Sequence, residues 1–171
     1  MKLQFGCGLD KKVGYLNCDI SKEVNPDMIV DLEKPLPFED GCAEEIIMNH
    51  VLEHINNLIP LMKELHRILA PRGRVEIKVP FYTGWGAFND PTHVRFFTPF
   101  SFDYFKPGEY AHEVDNICFD VTKRKINFGV GKSGKLNSLI NPFLNMNQKI
   151  YCRFFAWVFP AAEIEFVLTK K

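Results

Sequence analysis

The sequence lacks the cysteine spacing that disulfide-rich and zinc-binding domains use. Its five cysteines are scattered along 171 residues, and no two of them form a C-x-x-C pair. An odd, scattered set predicts neither a disulfide framework nor a cysteine zinc site. We therefore expect a protein of the reducing cytoplasm.

The sequence also lacks an excess of charge of either sign. Lys plus Arg and Asp plus Glu each number 21, so no overall positive field would attract a polyanion. Nucleic acid is accordingly not the expected partner. With 46% hydrophobic residues, the chain is predicted to form one domain with its own core, residues 1–171.

Long hydrophobic runs are missing as well. The most apolar run, residues 150–159, contains Arg153 and is followed by Pro160. It is therefore far shorter than the roughly 20 apolar residues that a membrane span needs. The N-terminus reaches Gly6 too early for the apolar core of a signal peptide. These absences predict a soluble protein without a membrane span.

Short apolar runs that end in Gly, Asp or Asn recur through the first eighty residues. Their lengths and their content of Ile, Val and aromatic residues predict buried strands. The runs are residues 3–5, 15–20, 28–32, 45–49 and 74–79. Five such runs predict a sheet.

One segment between the last two runs has helical periodicity. From Leu58 the apolar residues are spaced three and four apart, and Ala70-Pro71-Arg72-Gly73 ends the pattern. A strand, a helix and a strand in succession predict a right-handed βαβ unit with parallel strands. In such sheets, ligands bind at the carboxyl ends of the strands.

Glycines and polar residues stand at those carboxyl ends. Gly6 and Gly8 after the first strand permit a tight turn and close approach of the backbone to a ligand. Asp19, at the end of the second strand, is placed to accept hydrogen bonds from a ribose diol. The competing interpretation is structural: an ordinary turn for the glycines and a helix cap for Asp19.

The dinucleotide-binding fingerprint does not match at this position. The third glycine of G-x-G-x-x-G would stand where the sequence has Lys11, and Asp19 follows much sooner than the pattern's acidic residue. Residues 9–14 also leave no room for the helix that would hold a pyrophosphate. NAD is therefore disfavoured as a ligand.

Four segments within residues 3–80 carry a family resemblance. They are LQFGCG, YLNCDI, MIVDLEKPLPFEDGCAEEIIMNHVLEHI and ELHRILAPRGRVEIKVP. In this order they resemble a class I S-adenosylmethionine-dependent methyltransferase of the small-molecule, type 11-like kind. The resemblance implies an α/β, Rossmann-like, mostly parallel seven-stranded sheet with an antiparallel last strand. Residues 117–130 and 163–169 would be the sixth and seventh strands, and Arg72 departs from the family's glycine.

The resemblance implies S-adenosylmethionine as cofactor and methyl transfer to an O, N or C nucleophile of a small-molecule or glycan-like acceptor. Residues 6–8 would lie against the methionine part, 31–32 would flank the adenine, and 49–50 would lie near the sulfonium. The implied binding residues are Phe5, Gly6, Cys7, Gly8, Asp19, Ile20, Asp31, Leu32, Asn49 and His50. The alternative is a cofactor-binding or interaction protein that has this fold but transfers no methyl group.

The connections after the first two strands are shorter than in the family. Residues 9–14 and 21–27 cannot hold the full helices normally found there, so one sheet face is predicted to lose its cover. We expect an open apolar face that the segment 135–160 or a second copy of the chain covers. The apolar helical insert 133–160 is more simply explained as internal core than as a dimer or membrane surface.

A proton acceptor for the reaction would come from the substrate side, in or just before the insert 84–112, which is predicted to form a lid. His93, whose type has an ordinary pKa of about 6.5, is the first candidate, with Asp90 and Tyr82 as the others. The competing interpretation is that Asp90 only fixes the loop. Aromatic residues of the insert predict either an apolar acceptor pocket or the lid's own core.

The pentad His50-Val51-Leu52-Glu53-His54 matches the H-x-x-E-H pattern of one class of zinc protease. Such a site requires the whole pentad on one helix. Here the pentad spans the end of a predicted strand and the start of the next helical stretch. We therefore expect no metal, with His50 in the cofactor pocket and with Glu53 and His54 as structural supports.

Overall fold

A seven-stranded sheet forms the centre of the protein in the computed structural model, which describes residues 1–108, 114, 117–131 and 133–171. Its order is β3-β2-β1-β4-β5-β7-β6. β1 to β5 pair in parallel, whereas β7 is antiparallel to β5 and β6. The predicted Rossmann-like α/β sheet is confirmed. The strands are β1 Lys2–Phe5, β2 Leu16–Asp19, β3 Met28–Ile29, β4 Ala43–Asn49, β5 Leu69–Pro80, β6 Phe119–Asn127 and β7 Glu163–Lys170.

The helices lie mainly after β4 and after β6. α1 spans Leu58–Ile68 and buries Leu61, Met62, Leu65 and Ile68, as the apolar spacing predicts. A 3₁₀ turn, Leu52–His54, precedes it, and the insert after β5 contains α2, Gly86–Asn89, and a 3₁₀ turn, Ser101–Phe105. The end of the predicted lid, residues 109–112, lies outside the described residues. None of the helices in the described part of the chain is long and apolar enough to span a bilayer.

The short connections after β1 and β2 have the predicted form. Residues 9–14 contain no helix, and residues 21–27 contain one 3₁₀ turn, Lys22–Val24. β3 is shorter than predicted because the chain turns soon after Ile29, where the Asp31 side chain accepts the N–H of Glu33. Between α1 and the main run of β5, Arg72 has a φ of +63°, a left-handed conformation that glycine adopts without strain.

The two faces of the sheet differ in polarity. Leu3, Phe5, Ile46, Ile77 and Phe166 share one face and are fully buried. The other face carries charged side chains joined in ion pairs: Lys2, Glu45, Arg74, Glu76, Lys78, Glu165 and Lys123. The expectation of an open apolar face was therefore wrong. The strands alternate, and a charged face in water needs no covering layer, which also removes the reason for placing a second copy there.

The segment after β6 packs along the free edge of that strand. It consists of a 3₁₀ turn, Ser133–Leu136, then α3, Asn137–Met146, then α4, Gln148–Ile150, and a π-helical turn, Tyr151–Phe155. Asn145 of α3 accepts the N–H of Ile126 and donates to its carbonyl, both at 2.8 Å. Two turns earlier, Asn137 makes the same pair of bonds with the backbone of Gly129, both at 2.9 Å. Between them, Asn141 accepts the N–H of Phe128 and donates to the side-chain oxygen of Asn127. This row of amides satisfies an edge that would otherwise be open to another strand.

Large apolar side chains of this segment are exposed to solvent. Leu144, Tyr151 and Ala156 are buried, but Leu139 and Phe143, opposite the asparagine row, are 67% and 70% exposed. Met146, Trp157, Val158 and Phe159 are also largely exposed. The expectation that the segment is internal core was therefore correct for a minority of its apolar residues. It was wrong for the rest, because the polar side of α3 is the side that faces β6.

Candidate functional site

Three adjoining cavities follow the carboxyl edge of the sheet, and His50 lines all of them. The first, of about 390 Å³, lies beyond β1, β2 and β3 and contains Asp19 and Asp31 in its wall. The second, of about 540 Å³, lies between the glycine turn after β1 and a wall formed by Gly129–Gly131, Gly134 and Asn137. The third, of about 330 Å³, lies under the insert after β5. Volumes of this order suit small molecules and cofactors.

The turn after β1 brings bare backbone to the cavity wall. Gly6 and Gly8 have φ values of +62° and +49°. A Cβ on Gly6 would lie 2.3 Å from Cγ2 of Val51, whereas a Cβ on Gly8 would meet no atom within 4 Å. Glycine is thus required at position 6 by packing, and at position 8 the backbone is open to a ligand. The resemblance predicts that the methionine part of S-adenosylmethionine lies against this turn.

Asp19 holds that turn against β2. Its Oδ2 atom accepts the N–H of Gly8 and its Oδ1 atom accepts the N–H of Ser21, both at 2.9 Å. Each carboxylate oxygen has a second lone pair for a ribose hydroxyl. The alternative of a helix cap does not apply to Asp19, because Ser21 caps the following 3₁₀ turn.

The far wall of the first cavity is built around two acidic residues. The backbone N–H of Glu33 binds Asp31 at 3.0 Å and lowers the pKa of that carboxyl, to which the nearby Lys34 ammonium also contributes. Glu33 accepts the backbone N–H groups of Asn56 and Asn57, at 2.6 and 3.2 Å. This link joins the end of β3 to the start of α1. Sequence analysis missed Glu33, because its partners are brought to it only by the fold.

His50 lies between two carboxylates. Its Nε2 atom is 3.4 Å from Oε2 of Glu163, and its Nδ1 atom is 3.3 Å from Oε1 of Glu53. Contact with Glu163, and then with Glu53, raises the pKa of His50 to about 9, so the imidazole is protonated at neutral pH. Burial opposes ionisation of Glu163, but the hydrogen bond from His50 keeps its pKa below the ordinary value. His50 also has a φ of +54°, a conformation rare outside glycine and common at functional sites.

All ten residues predicted to bind the cofactor line the first or the second cavity. Cys7 and Asn49 line the second cavity, and Gly6 and His50 line both cavities. The residues that line only the first are Phe5, Gly8, Asp19, Ile20, Asp31 and Leu32. The sequence prediction therefore located one continuous site. Glu163 was not predicted, because β7 reaches this edge only through its pairing with β5.

Two of the three predicted catalytic residues meet in the third cavity. His93 and Asp90 both line it, together with Trp85, Glu53 and His54. Tyr82 is not brought to them: its hydroxyl donates to the carbonyl of Cys152 at 3.1 Å, and burial raises its pKa to about 12. A hydroxyl held in this way is a poor proton acceptor near neutral pH.

Asp90 fixes the loop that carries His93. Its Oδ1 atom accepts the N–H and the hydroxyl of Thr92, at 2.8 and 2.6 Å, and these bonds lower the pKa of Asp90. Nδ1 of His93 lies 3.0 Å from the carbonyl of Ala87. Asp90 therefore makes the local bonds that the loop-fixing interpretation predicts.

The H-x-x-E-H pentad does not lie on one helix. β4 ends at Asn49, and a 3₁₀ turn, Leu52–His54, precedes α1. The backbone carbonyl of Glu53 accepts the N–H groups of Val94 and Arg95, at 2.9 and 3.2 Å. This part of the pentad supports the lid, as expected, and the arrangement differs from that of the zinc proteases.

Comparisons with known proteins agree with the fold and the site. A family profile described as "Methyltransferase domain" matches residues 14–105, more than half of the chain. A SAM-dependent methyltransferase from Archaeoglobus fulgidus aligns over 99% of this chain and 85% of its own, at 15% identity and a TM-score of 0.66. One from Mesorhizobium loti aligns over 99% and 90%, at 11% identity and a TM-score of 0.59. No curated protein matches the sequence.

The fold alone does not define a reaction. The [4+2]-cyclase SpnF aligns over 99% of this chain and 74% of its own, at 13% identity and a TM-score of 0.59, so different chemistries use this architecture. The family match is independent of that structural likeness. The chain belongs to the class I S-adenosylmethionine-dependent methyltransferase family, and this membership implies S-adenosylmethionine as its cofactor.

Proposed function

We propose that the protein transfers a methyl group from S-adenosylmethionine to an O, N or C nucleophile of a small-molecule or glycan-like acceptor. One observation carries the proposal: the cavity with the cofactor-binding residues and the cavity under the lid adjoin at His50. Bound S-adenosylmethionine supplies a methyl group that is already activated by its sulfonium. The protein's task is then mainly to position the acceptor and to exclude water.

The cofactor would be held by groups from four strands. Asp19 would accept the ribose hydroxyls, residues 31–32 would flank the adenine, and the backbone of residues 6–8 would bind the methionine part. Asn49 and His50 would form the wall between this ligand and the acceptor. Asp19, Asp31 and His50 are each held by polar contacts of their own, so this part of the site is preorganised before the cofactor binds.

His93 is the residue that would accept a proton from an O–H or N–H acceptor. The carbonyl of Ala87 can only accept, so Nδ1 of His93 is the donor, and Nε2 of the neutral ring keeps a lone pair. Asp90 would act by positioning the loop. Trp85, 79% exposed at the cavity's mouth, offers an apolar surface to the acceptor. The lid proposal covers residues 84–112 as far as they are described.

A second candidate is a cofactor-binding or interaction protein that transfers no methyl group. The loop-fixing bonds of Asp90 favour it, because they give this carboxylate a structural task instead of a catalytic one.

Both candidates place the protein in the cytoplasm. None of its five cysteines, all described, forms a disulfide, which suits a reducing compartment.

The two candidates differ in turnover. Purified protein is incubated with S-adenosylmethionine and a panel of phenolic, amine, carboxylate and sugar acceptors, and S-adenosylhomocysteine is measured. We expect acceptor-dependent product that a His93→Ala variant forms at least about tenfold more slowly. Binding of the cofactor without turnover on any acceptor would favour the second candidate.

A further inference from the structure

Three potential metal ligands converge on the wall of the third cavity. Glu53, His54 and His93 each offer one ligand atom, and these atoms lie within 4.8 Å of one another. All three residues line the cavity under the lid. Two come from the turn before α1 and the third from the lid, so the fold and not the local sequence brings them together.

The Glu53 carboxylate is buried without a hydrogen-bond donor. The residue is 1% exposed, and among the described residues neither oxygen has a hydrogen-bond partner. Nδ1 of His50 lies 3.3 Å from Oε1, within ion-pair range but outside hydrogen-bond geometry, and leaves Oε2 without a donor. A buried carboxylate in this state is costly and uncommon. A bound cation would satisfy it.

Both histidines have their Nδ1 atoms occupied. The Thr92 hydroxyl donates its one proton to Asp90 at 2.6 Å. Its oxygen, 2.9 Å from Nδ1 of His54, must then accept from that nitrogen. Nδ1 of His93 donates to the carbonyl of Ala87 for the reason given above. In the neutral rings, the free lone pair is therefore on Nε2 of both residues.

These outer contacts have the form that metal-binding histidines commonly have. A ligating imidazole usually donates its other N–H to a carboxylate, a backbone carbonyl or a water molecule, which fixes the ring and its tautomer. His93 has the carbonyl partner, and His54 reaches the Asp90 carboxylate through Thr92. The loop-fixing bonds of Asp90 thus have a second consequence, which is to orient a potential ligand.

We infer that Glu53, His54 and His93 bind a divalent first-row transition-metal ion such as Zn²⁺ or Co²⁺. Two imidazole nitrogens and one carboxylate oxygen are a donor set that these ions prefer over Mg²⁺ or Ca²⁺. Bound to the ion, Nε2 of both rings and one Glu53 oxygen would lie at the usual bond lengths of about 2.0–2.2 Å, reached by rotation of the three side chains. With three protein ligands, the remaining coordination positions face the cavity under the lid.

The site has a consequence for the acceptor that rests on the proposed function. An ion with open positions in that cavity would bind and orient an acceptor through a hydroxyl or carboxylate oxygen, which narrows the acceptor to oxygen-bearing molecules. His93 would then be a ligand, and the proton-accepting role proposed above would not apply to it. The expectation that the chain binds no metal considered only the pentad; the set proposed here shares Glu53 and His54 with it and replaces His50 by His93.

Cobalt titration of metal-stripped protein, without cofactor, tests the inference. We expect one Co²⁺ per chain, intense visible absorption bands typical of protein-bound Co²⁺, and their loss when Zn²⁺ is added. Glu53→Gln and His93→Ala are each expected to weaken Co²⁺ binding roughly 100-fold or more. Removing a metal ligand should lower the affinity at least as much as removing a residue that only hydrogen-bonds to a ligand. His66→Gln is the matched control, because His66 lies on α1 against Phe119, and its affinity should stay within about twofold.

Circular dichroism establishes that each variant is folded. Because Glu53 is buried, Glu53→Gln could also disturb the core, and the lid variant His93→Ala tests the same site without that risk. The inference is overturned if folded wild-type protein binds no stoichiometric Co²⁺, or if both variants bind it as tightly as wild type. S-adenosylmethionine binding is measured on the same metal-free sample. Cofactor binding without metal binding removes this inference alone, whereas metal binding without cofactor binding removes only the proposed function.

Discussion

Glu163, the first residue of β7, holds His50 through a contact of 3.4 Å between Oε2 and Nε2. Glu163 also accepts a hydrogen bond from Asn127 of β6 at 3.1 Å, and Asn127 accepts one from Asn141 of α3 at 2.8 Å. The wall of the predicted cofactor site is therefore connected to the C-terminal helical segment by one chain of polar contacts.

The first prediction concerns the pH dependence of stability. The pKa of His50 is raised from its ordinary value near 6.5 to about 9 by Glu163 and Glu53. The contribution of the charged His50 ring to the free energy of unfolding is then fully present below about pH 6.5, and it is lost as pH rises through about 9. In chelator-treated protein we expect wild type to be more stable than His50→Gln by about 1–2 kcal/mol at pH 6. This difference is smaller than the full pKa shift would give, because solvent screens the charge of the half-exposed ring. The difference should vanish by pH 10.

Urea unfolding of both proteins at several pH values measures this difference. NMR titration of the His50 ring gives the pKa directly. An unchanged stability difference between pH 6 and pH 10 would show that the carboxylates do not act through the charge of His50.

The second prediction concerns the glycine turn. In Gly6→Ala the new methyl group would lie 2.3 Å from Val51 on a backbone with positive φ. We expect a loss of about 2–4 kcal/mol in unfolding free energy, from backbone strain plus overpacking, and at least tenfold weaker cofactor binding. Gly41→Ala is the matched control, because Gly41 has a φ of +68° and nothing within 4 Å. It should lose only the strain, about 1–2 kcal/mol; equal losses in both variants would refute the packing argument.

The third prediction concerns the amide row along β6. Asn145→Ala leaves both backbone groups of Ile126 without their side-chain partner. We expect a loss of about 1–3 kcal/mol in unfolding free energy and faster hydrogen exchange at the Ile126 amide. Ser138→Ala, at an exposed position of the same helix, is expected to change stability by less than about 0.5 kcal/mol. Unchanged exchange at Ile126 in the Asn145 variant would contradict the edge-protection account.

The fourth prediction concerns Arg72, where the family resemblance implies glycine. Its φ of +63° strains any residue with a Cβ, by about 1–2 kcal/mol. We expect Arg72→Gly to raise the unfolding free energy by about 0.5–1 kcal/mol, because glycine's greater freedom in the unfolded chain offsets part of the relief. Arg72→Ala keeps the strain and should not stabilise. Thermal unfolding of the two variants gives the comparison, and equal melting temperatures would show that the conformation is not strained.

The part of the fold that local pattern determines could be predicted from the sequence. α1 was located by its apolar spacing, and Gly6, Gly8 and Asp19 were located by their positions after strands. The other seven residues that line the first two cavities were implied by the family resemblance. The polarity of the second sheet face was also present in the sequence, since Arg74, Glu76 and Lys78 alternate with apolar residues. It was missed because the strands were treated as buried on both sides.

Other features depend on tertiary contacts and have no local signal. Glu163 reaches His50 only through strand pairing, and His93 reaches His54 only because the lid folds back over the turn before α1. The asparagines of α3 have helical spacing, but their partner is an unpaired strand edge that the sequence does not reveal. Exposure of the apolar side of α3 follows from that pairing.

Binding of S-adenosylmethionine, measured by isothermal titration calorimetry, tests the central claim most directly. We predict saturable binding with one site per chain by wild type, and at least tenfold weaker binding by Asp19→Ala, which removes the ribose acceptor and the partner of the Gly8 N–H. No binding by well-folded wild-type protein, or equal affinity in the two proteins, would contradict the cofactor site described here.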